Sequence, residues 1–140
     1  MIRKTLIGAL VCFGLSSGVS AGELKNEMND LAGTITSLEM GFFTNNKAAT
    51  LDSIATLRKQ VKEYLGDEDK ITKLLPEHVK YKSSIAINSA EMIDKYALEI
   101  KKALSDKNMR MITRQMKTQK AFAEIQNQCF RCHNLVRDWE

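Results

Sequence analysis

The sequence predicts an all-α fold, and more specifically an up-down-up-down four-helix bundle. The chain of 140 residues contains a single proline, and long stretches consist of Ala, Leu, Lys, Glu, Gln and Met, which favour helices. Apolar residues recur at the spacing of about 3.6 residues that gives a helix one apolar face. Four such segments are joined by two short turns and one longer connection, the pattern of a bundle whose consecutive helices run in opposite directions.

The first helix is predicted over residues 23–43, where one apolar stripe repeats at intervals of three and four residues. The stripe consists of Leu24, Met28, Leu31, Ile35, Leu38 and Phe42. Residues 44–46, Thr-Asn-Asn, end this helix and can cap the second, which is predicted over residues 47–65 and stopped by Gly66. The second helix is predicted to bury Leu51, Ile54, Leu57, Val61 and Tyr64 or Leu65.

A longer connection spans residues 67–82 and contains an acidic turn, a short helical piece at residues 71–75, and then Pro76 and His78. The third helix is predicted over residues 83–104. Its inward face is predicted to contain Ile85, Met92, Ile93, Tyr96 and Ile100.

A short turn at residues 105–108 precedes the fourth helix, which is predicted over residues 109–136. Its inward face is predicted to contain Ile112, Met116, Phe122 and Ile125, followed by Cys129, Cys132 and His133. The last three residues are spaced i, i+3 and i+4, so that their side chains project from one face of the helix.

Residues 1–21 have the features of a cleaved secretory signal peptide. A basic start at residues 1–4 is followed by an apolar run too short to span a bilayer permanently, and residues 19–21, Val-Ser-Ala, provide a cleavage site. We therefore expect a mature domain of residues 22–140 that is located in the periplasm without stable membrane insertion.

The mature domain of about 119 residues is long enough to bury one modest core. Its net charge falls from +4 to about +2 when Arg3 and Lys4 are removed. Because no Lys/Arg-rich stripe with interleaved aromatic residues is present, nucleic-acid binding is not predicted. Lipidation of Cys12 is an alternative fate for the N-terminus, but the preceding Val11 is bulkier than the small residue expected before a lipidated cysteine.

Residues 129–133, Cys-Phe-Arg-Cys-His, form a C-x-x-C-H motif, which predicts one covalently attached haem c. In such a motif each cysteine is joined to one vinyl group of the porphyrin, and the histidine binds the iron. Cys129 and Cys132 are therefore predicted to hold the haem, and His133 is predicted to be an axial ligand of the iron.

Three other interpretations of the motif are weaker. A zinc site needs more ligands, and His78 is the only further Cys or His of the mature domain. A thioredoxin-type dithiol belongs near the start of a helix in a βαβ unit, and the sequence contains no strand pattern there. A disulfide between Cys129 and Cys132 would strain a regular helix.

Met28 is the predicted second axial ligand, because the predicted topology brings the start of the first helix to the end of the fourth. At about 1.5 Å per residue, Met40 lies about 18 Å farther along the first helix, and Met116 lies about 26 Å from the haem histidine. Met92 lies about 14 Å into the third helix from the haem end. His78, in the connection near that end, is the alternative ligand; if neither binds, the iron is five-coordinate and open to small gases.

Together these residues resemble the cytochrome c-prime family, exported four-helix-bundle c-type cytochromes with the haem motif near the C-terminus. The layout is similar over the whole mature chain, and specific residues match around residues 129–137 and Met28. Family members often carry an arginine four residues after the haem histidine, a place occupied here by Arg137, which could pair with a haem propionate or be solvated. The aromatic residue that commonly precedes this arginine is Val136 here, and the basic residue that some relatives carry one turn before the methionine is Leu24.

The resemblance also implies a function. In one branch of the family an apolar residue of the first helix faces the iron, and the five-coordinate haem binds nitric oxide or carbon monoxide. In the other branch a methionine fills that place and the low-spin haem transfers electrons, and Met28 implies this second branch. We therefore expect a periplasmic electron carrier that is not an enzyme and exchanges single electrons with redox partner proteins.

Two other functions stay open from the sequence. The first is a five-coordinate, gas-binding haem protein, and the second is a haem-free structural bundle. Homodimers through the first two helices are common among the relatives, so the resemblance also allows a homodimer. An exposed Phe43 would point to such a contact surface.

Overall fold

The computed structural model describes residues 19–136, and all regular secondary structure in that range is helical. The elements are α1 Val19–Phe43, α2 Lys47–Leu65, α3 Glu68–Leu74, a 3₁₀ helix Glu77–Lys82, α4 Ser83–Ser105 and α5 Met111–Val136. The prediction of an all-α fold is confirmed. Within the described range, no helix is long and apolar enough to cross a membrane.

Two of the sequence predictions concern residues outside this range. Residues 1–18, which form most of the predicted signal peptide, lie outside it, and so does Arg137, the predicted propionate contact. Both stay predictions. α1 begins at Val19, three residues before the predicted start of the mature domain at Gly22.

The turn between α1 and α2 is fixed by its own polar side chains and by one glycine. Asn45 has a φ of 49°, in the left-handed region that asparagine tolerates. The side-chain oxygen of Asn46 accepts a hydrogen bond from the N–H of Ala49 at 3.0 Å and caps α2. A Cβ at Gly41 would lie 2.6 Å from Oγ1 of Thr50, so only glycine allows this close approach of α1 to α2.

The connection between α2 and α4 contains more helix than the sequence predicts. The side chain of Asp67 accepts a hydrogen bond from the N–H of Lys70 at 3.1 Å, so α3 begins three residues before the predicted position. After Pro76 the chain forms the 3₁₀ helix, which the sequence analysis does not predict. The apolar residues that this connection buries are Ile71, Leu75 and Val79.

The core is organised around α4, which packs against both α2 and α5, while α1 packs on α2. Small side chains let α4 approach its two neighbours closely, and its buried residues include Ala86, Ser89, Ala90, Ala97 and Ala103. The largest fully buried side chains are Leu38, Ile54, Leu57, Ile71, Ile100 and Ile125.

α1 and α5 meet through side chains alone. Among the described residues, no Cα of α1 lies within 8 Å of a Cα of α5. Phe42, near the end of α1, contacts Phe122 of α5, with ring centroids 5.5 Å apart. Toward the start of α1 the two helices are separated by a cavity.

The predicted inward face of α5 is wrong at its N-terminal end. Ile112 is 59% exposed and Met116 is 65% exposed. At about 100° per residue, Met116 lies about 180° around the helix from the buried Ile125, and Ile112 lies about 220° from it. Both side chains therefore project from the outer face of α5.

Phe43, the last residue of α1, is 77% exposed.

Candidate functional site

A cavity of about 340 Å³ lies between the beginning of α1 and the end of α5. Its volume falls within the range of about 300–1,000 Å³ that is typical of ligand pockets. The wall from α1 contains Met28, Leu31 and Ile35, and the wall from α5 contains Cys129, Cys132 and His133. Leu57 and Leu65 of α2 and Ile93 of α4 complete the apolar lining.

The three residues of the C-x-x-C-H motif that are predicted to contact haem lie on one wall of this cavity. Cys129, Cys132 and His133 are all half-buried and all line it. The two residues between the cysteines, Phe130 and Arg131, are exposed. Because the motif lies inside a regular helix, the i, i+3, i+4 spacing produces this arrangement without any change in the backbone.

Cys129 and Cys132 are not joined by a disulfide, and their surroundings favour the protonated thiol. Burial raises the pKa of the Cys129 thiol. Burial and the neighbouring Cys129 together raise the pKa of Cys132 to about 11. A thiol with such a pKa carries little thiolate at neutral pH and is therefore a weak nucleophile and a poor metal ligand without further activation.

The opposite wall is formed by α1, whose position is fixed by an ion pair next to Met28. The carboxylate of Glu27, which is 8% exposed, accepts a hydrogen bond from Nζ of Lys70 at 2.6 Å. This bond ties the first turns of α1 to α3. The hydrogen bond with Glu27 is the main cause that raises the pKa of Lys70, so the ammonium group stays charged. Met28 itself is half-buried and lines the cavity.

The other sulfur and imidazole side chains considered as ligands lie elsewhere. Met40 and Met116 are more than half exposed, and neither lines the cavity. Met92 is half-buried but is also absent from the lining. His78 is exposed in the 3₁₀ helix and does not line the cavity either. Of the side chains considered for the sixth iron position, the cavity contains Met28 alone.

Two polar residues of the lining were not found by sequence reasoning. Oγ of Ser89 and Oε1 of Gln128 are buried, and neither has a hydrogen-bond partner among the described residues. Ser89 follows Ala86 and precedes Ile93 on the buried face of α4, and Gln128 follows Ile125 on the buried face of α5. Helical spacing alone would have placed both in the interior, but a search for apolar stripes passes over polar residues.

The donor groups around the cavity fit a c-type haem better than a zinc ion. Within residues 19–136, no group of three or more His, Cys, Asp or Glu side chains is arranged to hold a metal ion. Covalent attachment of haem c uses two thiols, an imidazole can bind the iron, and haem iron also accepts a soft thioether. Cys129, Cys132 and His133 would hold the group from α5, and Met28 would contact it from α1.

No protein-family model, no curated protein and no solved structure matches the chain.

Proposed function

We propose that this protein is a c-type cytochrome, with one haem c attached to Cys129 and Cys132 and its iron bound by His133. One observation carries the proposal: these three side chains, adjacent on one helical face, line a single cavity whose other walls are mostly apolar. A half-buried thiol pair followed at once by an imidazole is the ligand set of covalent haem.

Within this class, we propose a low-spin carrier of the cytochrome c-prime type, with Met28 as the second axial ligand. Met28 supports this because it lines the same cavity as His133 from a different helix. The up-down-up-down bundle order of the family is part of the proposal. It is supported by the packing of α1 on α2, of α2 on α4 and of α4 on α5, and by the contact of Phe42 with Phe122.

When bound, the haem supplies a one-electron couple at its iron. Cys129 and Cys132 would hold the haem covalently, and His133 and Met28 would bind its iron from α5 and from α1. A thioether ligand favours ferrous iron and raises the reduction potential. Leu31, Ile35 and the other apolar side chains keep water away from the ligands.

The remaining parts of the proposal follow from this role. A carrier makes and breaks no substrate bond, so we propose no enzymatic activity. The predicted signal peptide and the covalent haem both suit the periplasm, where redox proteins are the expected partners. Arg137 is proposed to lie near a haem propionate because of its spacing from His133.

A gas-binding haem protein is the second candidate function. It is favoured by the α1 wall, where Leu31 and Ile35 line the cavity beside Met28. If the thioether of Met28 does not bind the iron, an apolar surface faces an open coordination position, the arrangement that leaves room for nitric oxide or carbon monoxide.

Mass spectrometry and visible spectroscopy of the exported full-length protein test both candidates. We expect a mass increase by one haem that survives denaturation, and a low-spin spectrum with a thioether-to-iron charge-transfer band in the ferric state. Cys129→Ser should weaken covalent attachment, whereas Ser84→Ala, an exposed change on α4, should not. A colourless product would refute the cytochrome, and a red product with a high-spin ferric spectrum would favour the gas-binding protein.

A further inference from the structure

The outer face of α5 carries a continuous line of exposed residues without charge. Ile112, Met116 and Phe130 are 59%, 65% and 65% exposed, and at about 100° per residue they lie within about 40° of one another around the helix. The same face contains the exposed Gln119, Ala123 and Asn127. We call these six residues the outer stripe. Two of its large apolar residues lie near the start of α5 and the third lies about 21 Å farther along the helix, with uncharged residues between them. An uncharged face that ends in exposed apolar side chains is a candidate contact surface.

An excess of positive charge lies in the part of the chain that contains this stripe. Residues 107–134 contain six Lys or Arg and one Glu, a net charge of +5, whereas residues 22–106 contain twelve Lys or Arg and fourteen Asp or Glu, a net charge of −2. Arg114 is turned inward and donates hydrogen bonds to the carbonyls of Ala103, Asp106 and Met109. Lys117, Lys120 and Arg131 are exposed and border the stripe on the side that faces α4. The half-buried Glu124 lies among them, so this border contains three basic groups and one acidic group.

The outer stripe ends at the mouth of the cavity. Phe130 belongs to the stripe and also lines the cavity, together with the exposed residues Ala32 and Thr36 of α1. Arg131 is held close to this point, because its guanidinium donates a hydrogen bond to Oδ1 of Asn88 at 3.3 Å. A molecule bound along the stripe would therefore cover the edge of whatever the cavity contains.

We propose that the outer stripe and its basic border are the docking surface for an acidic redox protein. An uncharged centre with a charged border is the composition of a transient protein interface, and a basic border steers an acidic partner toward the mouth. A second copy of the chain does not fit this face in a symmetric pair, because each copy would place the same basic residues against those of the other. The proposal rests on the electron-carrier function, since it places the partner at the exposed edge of the haem.

The proposal is tested by stopped-flow electron transfer from reduced plant-type [2Fe–2S] ferredoxin, an acidic one-electron protein, to the ferric full-length protein. The test variant is Lys120→Glu/Arg131→Glu. The control is Lys47→Glu/Lys59→Glu, which changes the net charge equally at exposed positions on α2, a helix whose backbone has no contact with α5 among the described residues. At low salt we expect the test pair to lower the bimolecular rate constant by about tenfold or more, and the control pair by about threefold or less.

Measurements at high salt and on an uncharged variant distinguish the contribution of the basic border from that of the apolar residues in the outer stripe. In about 1 M salt, where charges are screened beyond about 3 Å, the test pair should return to the wild-type rate constant. Ile112→Gln/Met116→Gln leaves the charge unchanged and should lower the rate constant by about threefold at both salt concentrations, because it removes apolar contact area. Lys117→Glu/Lys120→Glu repeats the charge test at a distance from the haem-attachment motif.

Three results would overturn the docking surface: equal losses for the test and control pairs, no loss for either pair, or sedimentation of the protein as a dimer that the Ile112→Gln/Met116→Gln variant dissociates. Haem content and the ferric spectrum are measured first for every protein. A wild-type protein without haem would refute the proposed function. If every variant has a normal spectrum but the charge substitutions leave the bimolecular rate constant unchanged, only the docking surface is refuted.

Discussion

Replacing Met28 by leucine tests the ligand that separates an electron carrier from a gas-binding protein. Exchanging methionine for leucine nearly conserves volume and costs less than about 1.5 kcal/mol even in a packed core. Because Met28 is only half-buried, we expect the packing contribution to the free energy of unfolding to fall by about 1 kcal/mol or less, and loss of the thioether bond to the iron would add to this decrease. The thioether, however, is lost completely. Met28→Leu should therefore keep the fold and the covalent haem but leave a five-coordinate, high-spin iron.

The assay combines three measurements on the haem-loaded protein: the ferric visible spectrum, carbon monoxide titration of the ferrous form, and urea unfolding. We expect loss of the thioether charge-transfer band, tighter carbon monoxide binding and a lower reduction potential. Met92→Leu is the matched control, since Met92 is also half-buried but does not line the cavity. If the two variants have the same spectrum as the wild type, Met28 is not an iron ligand and the reasoning from the cavity is wrong.

Three further predictions test the fold that positions the site. Gly41→Ala should destabilise the protein by about 1–3 kcal/mol in urea unfolding, because the added Cβ would meet α2 at 2.6 Å. Gly33→Ala, where a Cβ would have no neighbour within 4 Å, should instead stabilise it by about 0.5–1 kcal/mol, and loss of stability there would contradict the account of α1. Ile125→Ala should cost about 2–5 kcal/mol and Met116→Ala about 0.5 kcal/mol or less, and equal costs would contradict the orientation of α5. The hydrogen bond from Arg58 of α2 lowers the pKa of Asp94. The Asp94 carboxylate therefore stabilises the fold above its ordinary pKa of about 4, and this stabilisation is lost as the pH falls through the lowered pKa. Urea midpoints measured from pH 6 to pH 2 should therefore fall less for Asp94→Asn than for the wild type, and parallel curves would show that the ion pair contributes nothing.

The sequence is sufficient to predict the helices wherever their ends carry a local signal. α2 begins and ends at the predicted residues, because Asn46 caps its start and Gly66 follows its end. α3 was predicted to begin too late, because the apolar pattern starts at Ile71 while the capping side chain belongs to Asp67. The 3₁₀ helix has no comparable signal in the sequence. Its backbone is set by Pro76 and by packing against the rest of the fold, and neither of these produces a periodic pattern of apolar residues.

The inward face of α5 was harder to predict, because its first half contains apolar residues on both sides. The apolar pattern assigns Ile112 and Met116 to the core, although both lie on the opposite side of the helix from Ile125. A consistent count of about 100° per residue would have separated them. The position of Met28 was predicted more easily, because it depends only on helix lengths and on which helix ends come together. Helical spacing places Ser89 and Gln128 on the buried faces of α4 and α5, but a pattern of apolar residues does not include them, because a polar residue in a helix is ordinarily expected on the surface.

The open apolar cavity connects the fold to the proposed cofactor. The cavity of about 340 Å³ is open toward solvent, since Ala32, Thr36 and Phe130 of its lining are exposed. Most of the remaining lining is apolar, and a group that covered it would remove this surface from water, which is favourable by about 25 cal/mol per Å² of apolar surface. The buried oxygens of Ser89 and Gln128 have no partner among the described residues, so a bound polar group would also satisfy them. Because Cys129 and Cys132 line the same cavity, a haem joined to these two thiols would keep the surface covered without dissociating.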